Sequence, residues 1–248
     1  MSSPPRPARL ARADDAAQPA CPLGVCDGSG WILGPEDVAR PCDCRERRMA
    51  RRRARGVASA IPRKYRGVSL DRPPISDMAR DRAQAPVYEA VREFVEQIGE
   101  RLDKGDGLWL MGDVGTGKTT LAMLVSKAAV EAQRTVAIYS LPRLLARIRR
   151  TYDDEAGEPY LEFFERLTSV DLLHVDDLGV EKRSDWVLEQ LYAIVNQRYE
   201  AQRSMVVTTN LDQSALEEQI GPRTVSRLVE ICGDPLPLFG DDLRYRVA

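Results

Sequence analysis

The sequence is poor in several things that would settle its chemistry early. No apolar run approaches the ~20 residues that cross a bilayer, and residues 1–20, rich in Pro, Ala and Arg, lack the apolar segment of a secretory signal. These absences exclude a membrane-spanning class and lead us to expect a soluble, cytoplasmic protein with a disordered N-terminus over residues 1–20. There is a single histidine, His174, and it falls inside an apolar run, where it reads as a packed core residue and a poor metal ligand. Aromatic residues make up only 6% of the chain. Near its most basic stretch only Trp31 and Tyr65 are available, which gives base stacking little support there.

Cysteine is also scarce, but four of the five lie within 24 residues: Cys21-Pro22-Leu23-Gly24-Val25-Cys26 and Cys42-Asp43-Cys44. Reduced thiols paired in this way point to a metal rather than to disulfides. Zn²⁺ suits four thiolates in a closed tetrahedral site, and its binding would supply folding energy that so short a segment cannot draw from a core. The Gly-Ser-Gly after Cys26 and Pro41 before Cys42 predict two tight turns. Spacings of four and one residues replace the usual two, and unpaired or redox thiols are the other reading. Cys232 lies far from the cluster.

The net charge of −2 conceals an uneven distribution. Residues 1–80 carry 16 Lys and Arg against 9 Asp and Glu, while the remainder carries 20 against 29. The stretch Arg45 to Arg55 holds seven arginines in eleven positions. It either contacts phosphates or an acidic partner, or forms a solvated helical linker.

The strongest pattern is Gly112-Asp113-Val114-Gly115-Thr116-Gly117-Lys118-Thr119, which fits G-x-x-x-x-G-K-[ST]. It sits between an apolar run, Leu108 to Met111, and a helical one, Thr120 to Val130. That placement ends a strand in a loop whose N–H groups cradle phosphates and whose helix N-terminus adds positive charge. Lys118 would reach the β- and γ-phosphates, and Thr119 would ligate Mg²⁺. Farther along, Asp171-Leu172-Leu173-His174-Val175-Asp176-Asp177 reads as a buried parallel strand ending in two carboxylates. Asp176 would hold Mg²⁺ through water, and Asp177 would orient or deprotonate the attacking water. Met205 to Asn210 predicts a third buried strand; Asn210 either positions that water or, with Thr208 and Thr209, turns the chain.

Helical spacing predicts a helix over Pro86 to Ile98, leading into the first strand. Thr135 to Tyr139 reads as a further strand, Pro142 to Tyr152 as an Arg-rich helix, and Asp153 to Glu158 as an acidic loop. Gly221 to Leu228 starts a helix carrying Arg223 and Arg227. Arg227 either reaches a neighbouring subunit's nucleotide or makes a surface salt bridge, and Arg244 offers a further contact to phosphates.

The phosphate loop, Leu-Leu-His-Val-Asp-Asp-Leu-Gly, Ile194-Val195-Asn196-Gln197-Arg198-Tyr199, Thr-Thr-Asn-Leu and Ser-Arg-Leu together resemble the replicative helicase loaders of the DnaC and DnaI type, AAA+ ATPases with the transposition helper IstB as a near relative. The resemblance covers roughly Ile61 to Arg244, and Ile61-Pro62-Arg63-Lys64-Tyr65-Arg66 looks like that family's linker. The cysteine segment is similar to the zinc-bearing, helicase-binding domain of the DnaI branch.

The resemblance implies an α/β, AAA+ P-loop ATPase with a parallel sheet in order 5-1-4-3-2 and flanking helices, preceded by a small zinc-binding module. Lys118 and Thr119 become Walker A, Asp176 and Asp177 Walker B, Asn210 sensor 1, Arg227 the arginine finger and Arg244 sensor 2. ATP contacts would extend over Gly112, Asp113, Val114, Gly115, Thr116, Gly117, Lys118, Thr119, Thr120, Asp176 and Arg244. Zn²⁺ would take Cys21, Cys26, Cys42 and Cys44; Mg²⁺ would take Thr119 and Asp176. Asp177 stands where many AAA+ proteins have Glu, which shortens its reach to the water.

The expected organisation is a disordered segment to residue 20, a zinc module over 21–60, a linker over 61–85 and the ATPase domain over 86–248. The implied partners are a hexameric replicative helicase, single-stranded DNA and further copies of the chain joined through ATP-bridged interfaces. An IstB-like transposition helper and a zinc-dependent nucleic-acid adaptor with a structural ATP site are the rival readings.

Overall fold

A computed structural model describes residues 21, 23–33, 38–45, 61–152, 159–240 and 242. The N-terminal segment 1–20, most of the arginine stretch, the acidic loop 153–158 and Arg244 lie outside the described residues. The chain divides into two compact units, residues 1–50 and 51–248.

In the first unit, β1 (Trp31–Leu33) and β2 (Ala39–Pro41) form an antiparallel pair with Trp31 opposite Pro41. Pro41 therefore ends an edge strand, where its missing N–H costs nothing, and does not occupy the tight turn expected of it. Two short turns flank the pair: the Gly24 N–H donates to the Cys21 carbonyl at 3.0 Å, and the Arg45 N–H to the Cys42 carbonyl at 2.8 Å.

The second unit is built on a five-stranded sheet, all parallel, in the order β4-β5-β6-β3-β7. Its strands are β3 (Leu108–Gly112), β4 (Val136–Ser140), β5 (Leu172–Asp176), β6 (Ser204–Thr209) and β7 (Leu236–Leu238). Counted from β3 as the first, that order is 2-3-4-1-5, the implied order read from the opposite edge. Parallel strands need covering on both faces, which accounts for their nearly continuous apolar runs. Alternation sends Trp109, Leu173, Val175, Met205 and Val207 to one face, and Leu108, Leu110, Leu172 and Val206 to the other.

Helices α1 (Ile75–Met78), α2 (Ala85–Glu96), α3 (Ile98–Lys104) and α4 (Lys118–Glu131) pack on the Leu110 face. Helices α5 (Leu141–Arg150), α6 (Tyr160–Ser169), α7 (Asp185–Glu200), α8 (Gln213–Ile220) and α9 (Pro222–Cys232) pack on the Trp109 face. The helix expected over 86–98 instead stops at Glu96, because Gln97 leaves helical geometry (φ −102°, ψ 17°) and a new helix starts at Ile98. Both pieces keep their apolar residues on the core, so the periodicity runs through the break. Among the described residues no helix is long and apolar enough to cross a membrane.

One buried side chain joins the layers. Arg198 on α7 is fully buried, and its guanidinium donates to the carbonyls of Leu167, Thr168, Val170, Asp171 and Ser204 at 2.6–3.4 Å. It thereby ties the end of α6 and the entry to β5 to the first residue of β6. Burial, helped by the like charge of Arg203, pulls this guanidinium down to about 9, still cationic at neutral pH.

Candidate functional site

The strands β3, β5 and β6 all end at one edge of the sheet, and a cleft of about 320 Å³ opens there. It is lined by Val114, Gly115, Gly117, Lys118, Thr119, Thr120, Asp176, Asp177 and Asn210, together with Lys64 and Tyr65. Nine of these eleven belong to the sets named from the sequence.

The loop between β3 and α4 takes its shape from its glycines. Gly112 has φ 135° and lies against β7, where a β-carbon would overlap the Leu238 carbonyl. Gly115 has φ 82°, and a β-carbon there would overlap the Asp242 carboxylate. Left-handed backbone at these points turns the chain back onto the helix that begins at Lys118. The Thr116 hydroxyl closes the loop by donating to the Asp113 carbonyl at 2.8 Å. Lys118 is nearly buried, and its ammonium donates to the carbonyls of Gly112 (2.9 Å) and Asp113. Asp113, expected among the ATP contacts, uses its carboxylate to accept from the Gly240 N–H at 3.2 Å and so anchors the segment beyond β7.

Asp176 is the hub. Its Oδ1 accepts from Thr119 Oγ1 at 2.9 Å and from Thr208 Oγ1 at 2.7 Å, and His174 Nε2 stands 3.9 Å away. Burial works against its charge, but His174 and the two hydroxyls outweigh burial and hold the carboxyl below its ordinary range. His174 is fully buried under α4, with Nδ1 2.9 Å from Ser126 Oγ, so the packed core histidine also supports a carboxylate. A hydroxyl and an ionised carboxylate in contact form a hard oxygen donor set that fits Mg²⁺.

Asp177 differs from its neighbour. Its backbone is left-handed (φ 58°), and its N–H donates to Thr208 Oγ1 at 2.9 Å. Burial and the adjacent Asp176 push its carboxyl up, with Lys118 acting in opposition. Two adjacent carboxylates thus have separated proton affinities: one stays ionised, and the other is moved toward the range of a proton acceptor. Thr208 bonds both acids, a role that the turn reading of Thr-Thr-Asn did not assign to it.

Asn210 follows β6 and lines the cleft, as expected of a water-positioning residue. Arg227 does not join this group. It pairs with Glu230 (2.9 Å) and lies over the Tyr199 ring at 3.9 Å. Tyr199 and Glu230 border a second hollow with Asp106 and Arg203, at the opposite ends of β3 and β6. Within its own chain Arg227 cannot reach the cleft.

Asp242 and the pair Lys64 and Tyr65 were not singled out from the sequence as site residues. Asp242 places a carboxylate against the phosphate loop, where a nucleotide would bring like charge. Asp242→Asn should tighten ATP binding about 3- to 10-fold at low salt, with a smaller gain at 0.5 M salt, in isothermal titration. Unchanged affinity at low salt would show that the carboxylate turns away from the phosphates.

In the first unit the four cysteine sulfurs lie within 4.8 Å of one another. Cys21 and Cys42 are 3.9 Å apart and Cys26 and Cys44 3.5 Å, close to the ~3.8 Å edge of a tetrahedron with Zn–S bonds of about 2.3 Å. The spacings of four and one therefore converge on one point. The Cys26 backbone amide pulls the Cys21 thiol down to about 6, whereas burial pushes the Cys44 thiol up to about 12. A divalent cation is what would hold all four as thiolates, and the donor set fits Zn²⁺.

The family profile described as IstB-like ATP binding protein matches residues 100–228. The replicative helicase loader DnaC of Buchnera aphidicola subsp. Schizaphis graminum is 24% identical over 58% of this chain and 58% of its own length. The putative insertion sequence ATP-binding protein y4pL of Sinorhizobium fredii is 32% identical over 61% of this chain and 62% of its own. A crystal structure of the DnaC helicase loader superposes with a TM-score of 0.61 at 25% identity, over 73% of this chain and all of that one. The chain thus matches little more than half the length of these two curated relatives. The span matched by the family profile, residues 100–228, contains the phosphate loop, both carboxylates and Asn210 and does not include the cysteine unit. On that span and that fold, the chain belongs to the IstB-like ATP-binding protein family, of the same AAA+ type as the DnaC and DnaI loaders.

Proposed function

We propose that this protein hydrolyses ATP and uses it as a switch for loading a hexameric replicative DNA helicase onto single-stranded DNA. The observation that carries the reading is the joining of two built sites in one chain: the cleft around Asp176 and Asp177, and a separate four-cysteine unit. Likeness to proteins named as DnaC and DnaI loaders supports it.

In the cleft, the loop amides and Lys118 bind the β- and γ-phosphates, and Asn210 and Asp177 orient the attacking water, with Asp177 accepting its proton. Mg²⁺, held by Thr119 and Asp176, would neutralise phosphate charge when bound. Arg227 faces away from its own cleft, so an arginine finger at this position acts on a neighbouring copy, which makes hydrolysis depend on self-association. The exposed Arg143, Arg147, Arg149 and Arg150 of α5 supply cations for a DNA backbone. On the cysteine unit, Leu23, Val25, Trp31 and Val38 are exposed large apolar side chains, a composition suited to a protein partner, here the helicase. A cytoplasmic location goes with these partners.

The second reading, an insertion-sequence helper, is favoured by the match to the IstB-like family profile and by the 32% identity to y4pL. It assigns the partner contact elsewhere than the cysteine unit.

ATPase assays with nucleotide titration test the proposal. Lys118→Ala should abolish ATP binding. Arg227→Ala should lower turnover about 10- to 1,000-fold while leaving nucleotide affinity within twofold. Equal turnover in wild type and Arg227→Ala would remove the finger from the mechanism.

A further inference from the structure

The residues at the phosphate end of the cleft all have a part in the proposed chemistry, but the cleft is also lined by two residues that no role above uses. Lys64 and Tyr65 come from a single 3-10 turn, Arg63–Tyr65, far from the phosphate loop in sequence. The turn is fixed in place: the Tyr65 N–H donates to the Pro62 carbonyl at 2.9 Å, and the Val68 N–H to the Tyr65 carbonyl at 3.1 Å. Lys127 Nζ then donates to the Val68 carbonyl at 2.8 Å, which ties the segment to α4, the helix that begins at Lys118. Tyr65 therefore keeps a set distance from the phosphate cradle.

Among the described residues lining the cleft, Tyr65 is the only aromatic. The others offer loop backbone, small polar groups, charges or the branched Val114, none of which presents a flat face to a heterocycle. Tyr65 is half-buried, and the Lys64 ammonium lies over its ring at 4.5 Å. Lys64 itself is exposed, and a cation–π contact at an exposed site is weak and readily exchanged. A base laid on the ring gains a larger apolar contact than the ammonium does.

Building on the nucleotide-binding reading of this cleft, we propose that Tyr65 is the platform on which the nucleotide base stacks, and that Lys64 is displaced from the ring by the base. Stacking scales with the overlapped area, so the platform favours purine over pyrimidine nucleotides. It does not separate adenine from guanine, since a ring face reads no hydrogen-bonding edge.

The test is isothermal titration of the full chain with Mg·ADP, Mg·CDP and Mg·tripolyphosphate, in wild type, Tyr65→Phe and Tyr65→Ala. Tyr65→Ala should weaken ADP about tenfold, bring ADP and CDP to similar affinity, and leave tripolyphosphate unchanged. Tyr65→Phe should match wild type, because the ring face and not the hydroxyl carries the contact. ADP affinity untouched by Tyr65→Ala would overturn the proposal. So would a parallel loss for tripolyphosphate, which would make Tyr65 a support for the phosphate loop. Wild-type protein that binds tripolyphosphate and ADP equally would overturn the platform but leave the phosphate site standing, whereas failure to bind any of the three would overturn both.

Discussion

Chelation of the zinc-loaded protein is expected to unfold residues 21–45 and abolish capture of the helicase, while ATP binding by the larger unit survives. The described part of the first unit has almost no core besides the four cysteines: Cys21, Cys42 and Cys44 are its buried apolar residues, with Cys26 and Ile32 packed against them. Its only sheet is a pair of three-residue strands, far below what is stable alone in water. On the zinc reading the stabilisation comes from the metal, for which about 10–16 kcal/mol of apparent binding energy is available at neutral pH. Metal analysis should return one zinc per chain, lost in Cys44→Ser. Amide resonances of residues 21–45 that stay dispersed after chelation would show that the unit folds without metal. Helicase capture that persists under chelation, with the resonances collapsed, would place the partner contact outside the cysteine unit and strengthen the insertion-sequence reading.

The parts of this protein legible in its sequence are those where chemistry dictates residue type at fixed spacing. The loop from Gly112 to Thr119, the paired acids at the end of β5 and Asn210 after β6 were each recognisable from a local pattern, and they meet in one cleft. The strands were legible for a related reason: parallel strands covered on both faces need apolar runs, and Leu172 to Val175 and Met205 to Val207 have no polar alternation to confuse them with surface strands. Helices α6, α7 and α8 were not read as elements, because each mixes charged and apolar residues and is settled by burial against the sheet. Strand β7, three residues with a central Pro237, carries almost no strand signal; its pairing with β3 places it.

The same limit applies to the site. Tyr65 and Asp242 enter the neighbourhood of the phosphate loop from distant stretches of chain, and only the fold brings them there. Thr208 looked like one of three turn residues, yet its hydroxyl serves both Asp176 and Asp177. Arg227 shows the reverse: the sequence allows either a contact with a neighbouring subunit's nucleotide or a surface salt bridge, and the fold shows the salt bridge, to Glu230 at 2.9 Å, at the far end of the sheet from the cleft.

Arg198→Met is expected to destabilise the larger unit by about 3–5 kcal/mol, a loss comparable with the whole stability of many domains. Methionine fills similar space but donates no hydrogen bonds, so five carbonyls on three segments lose a charged donor in an interior that water does not reach. Arg198→Lys should recover only part of the loss, because one ammonium with three donors cannot span carbonyls arranged around a planar fork. At about 2–4 °C per kcal/mol for a unit of this size, the melting temperature should fall by roughly 10 °C in the methionine variant. The consequence for activity is indirect. Arg198 bonds Ser204, the first residue of β6, and the same strand carries Thr208 to the two acids, so loosening the clamp releases the strand that fixes them. Turnover per folded molecule, measured well below the melting temperature, should stay within a fewfold of wild type even as the urea midpoint drops sharply. An unchanged midpoint would show that the carbonyls find other donors. A collapse of turnover at unchanged stability would move Arg198 from the framework into the chemistry of the cleft.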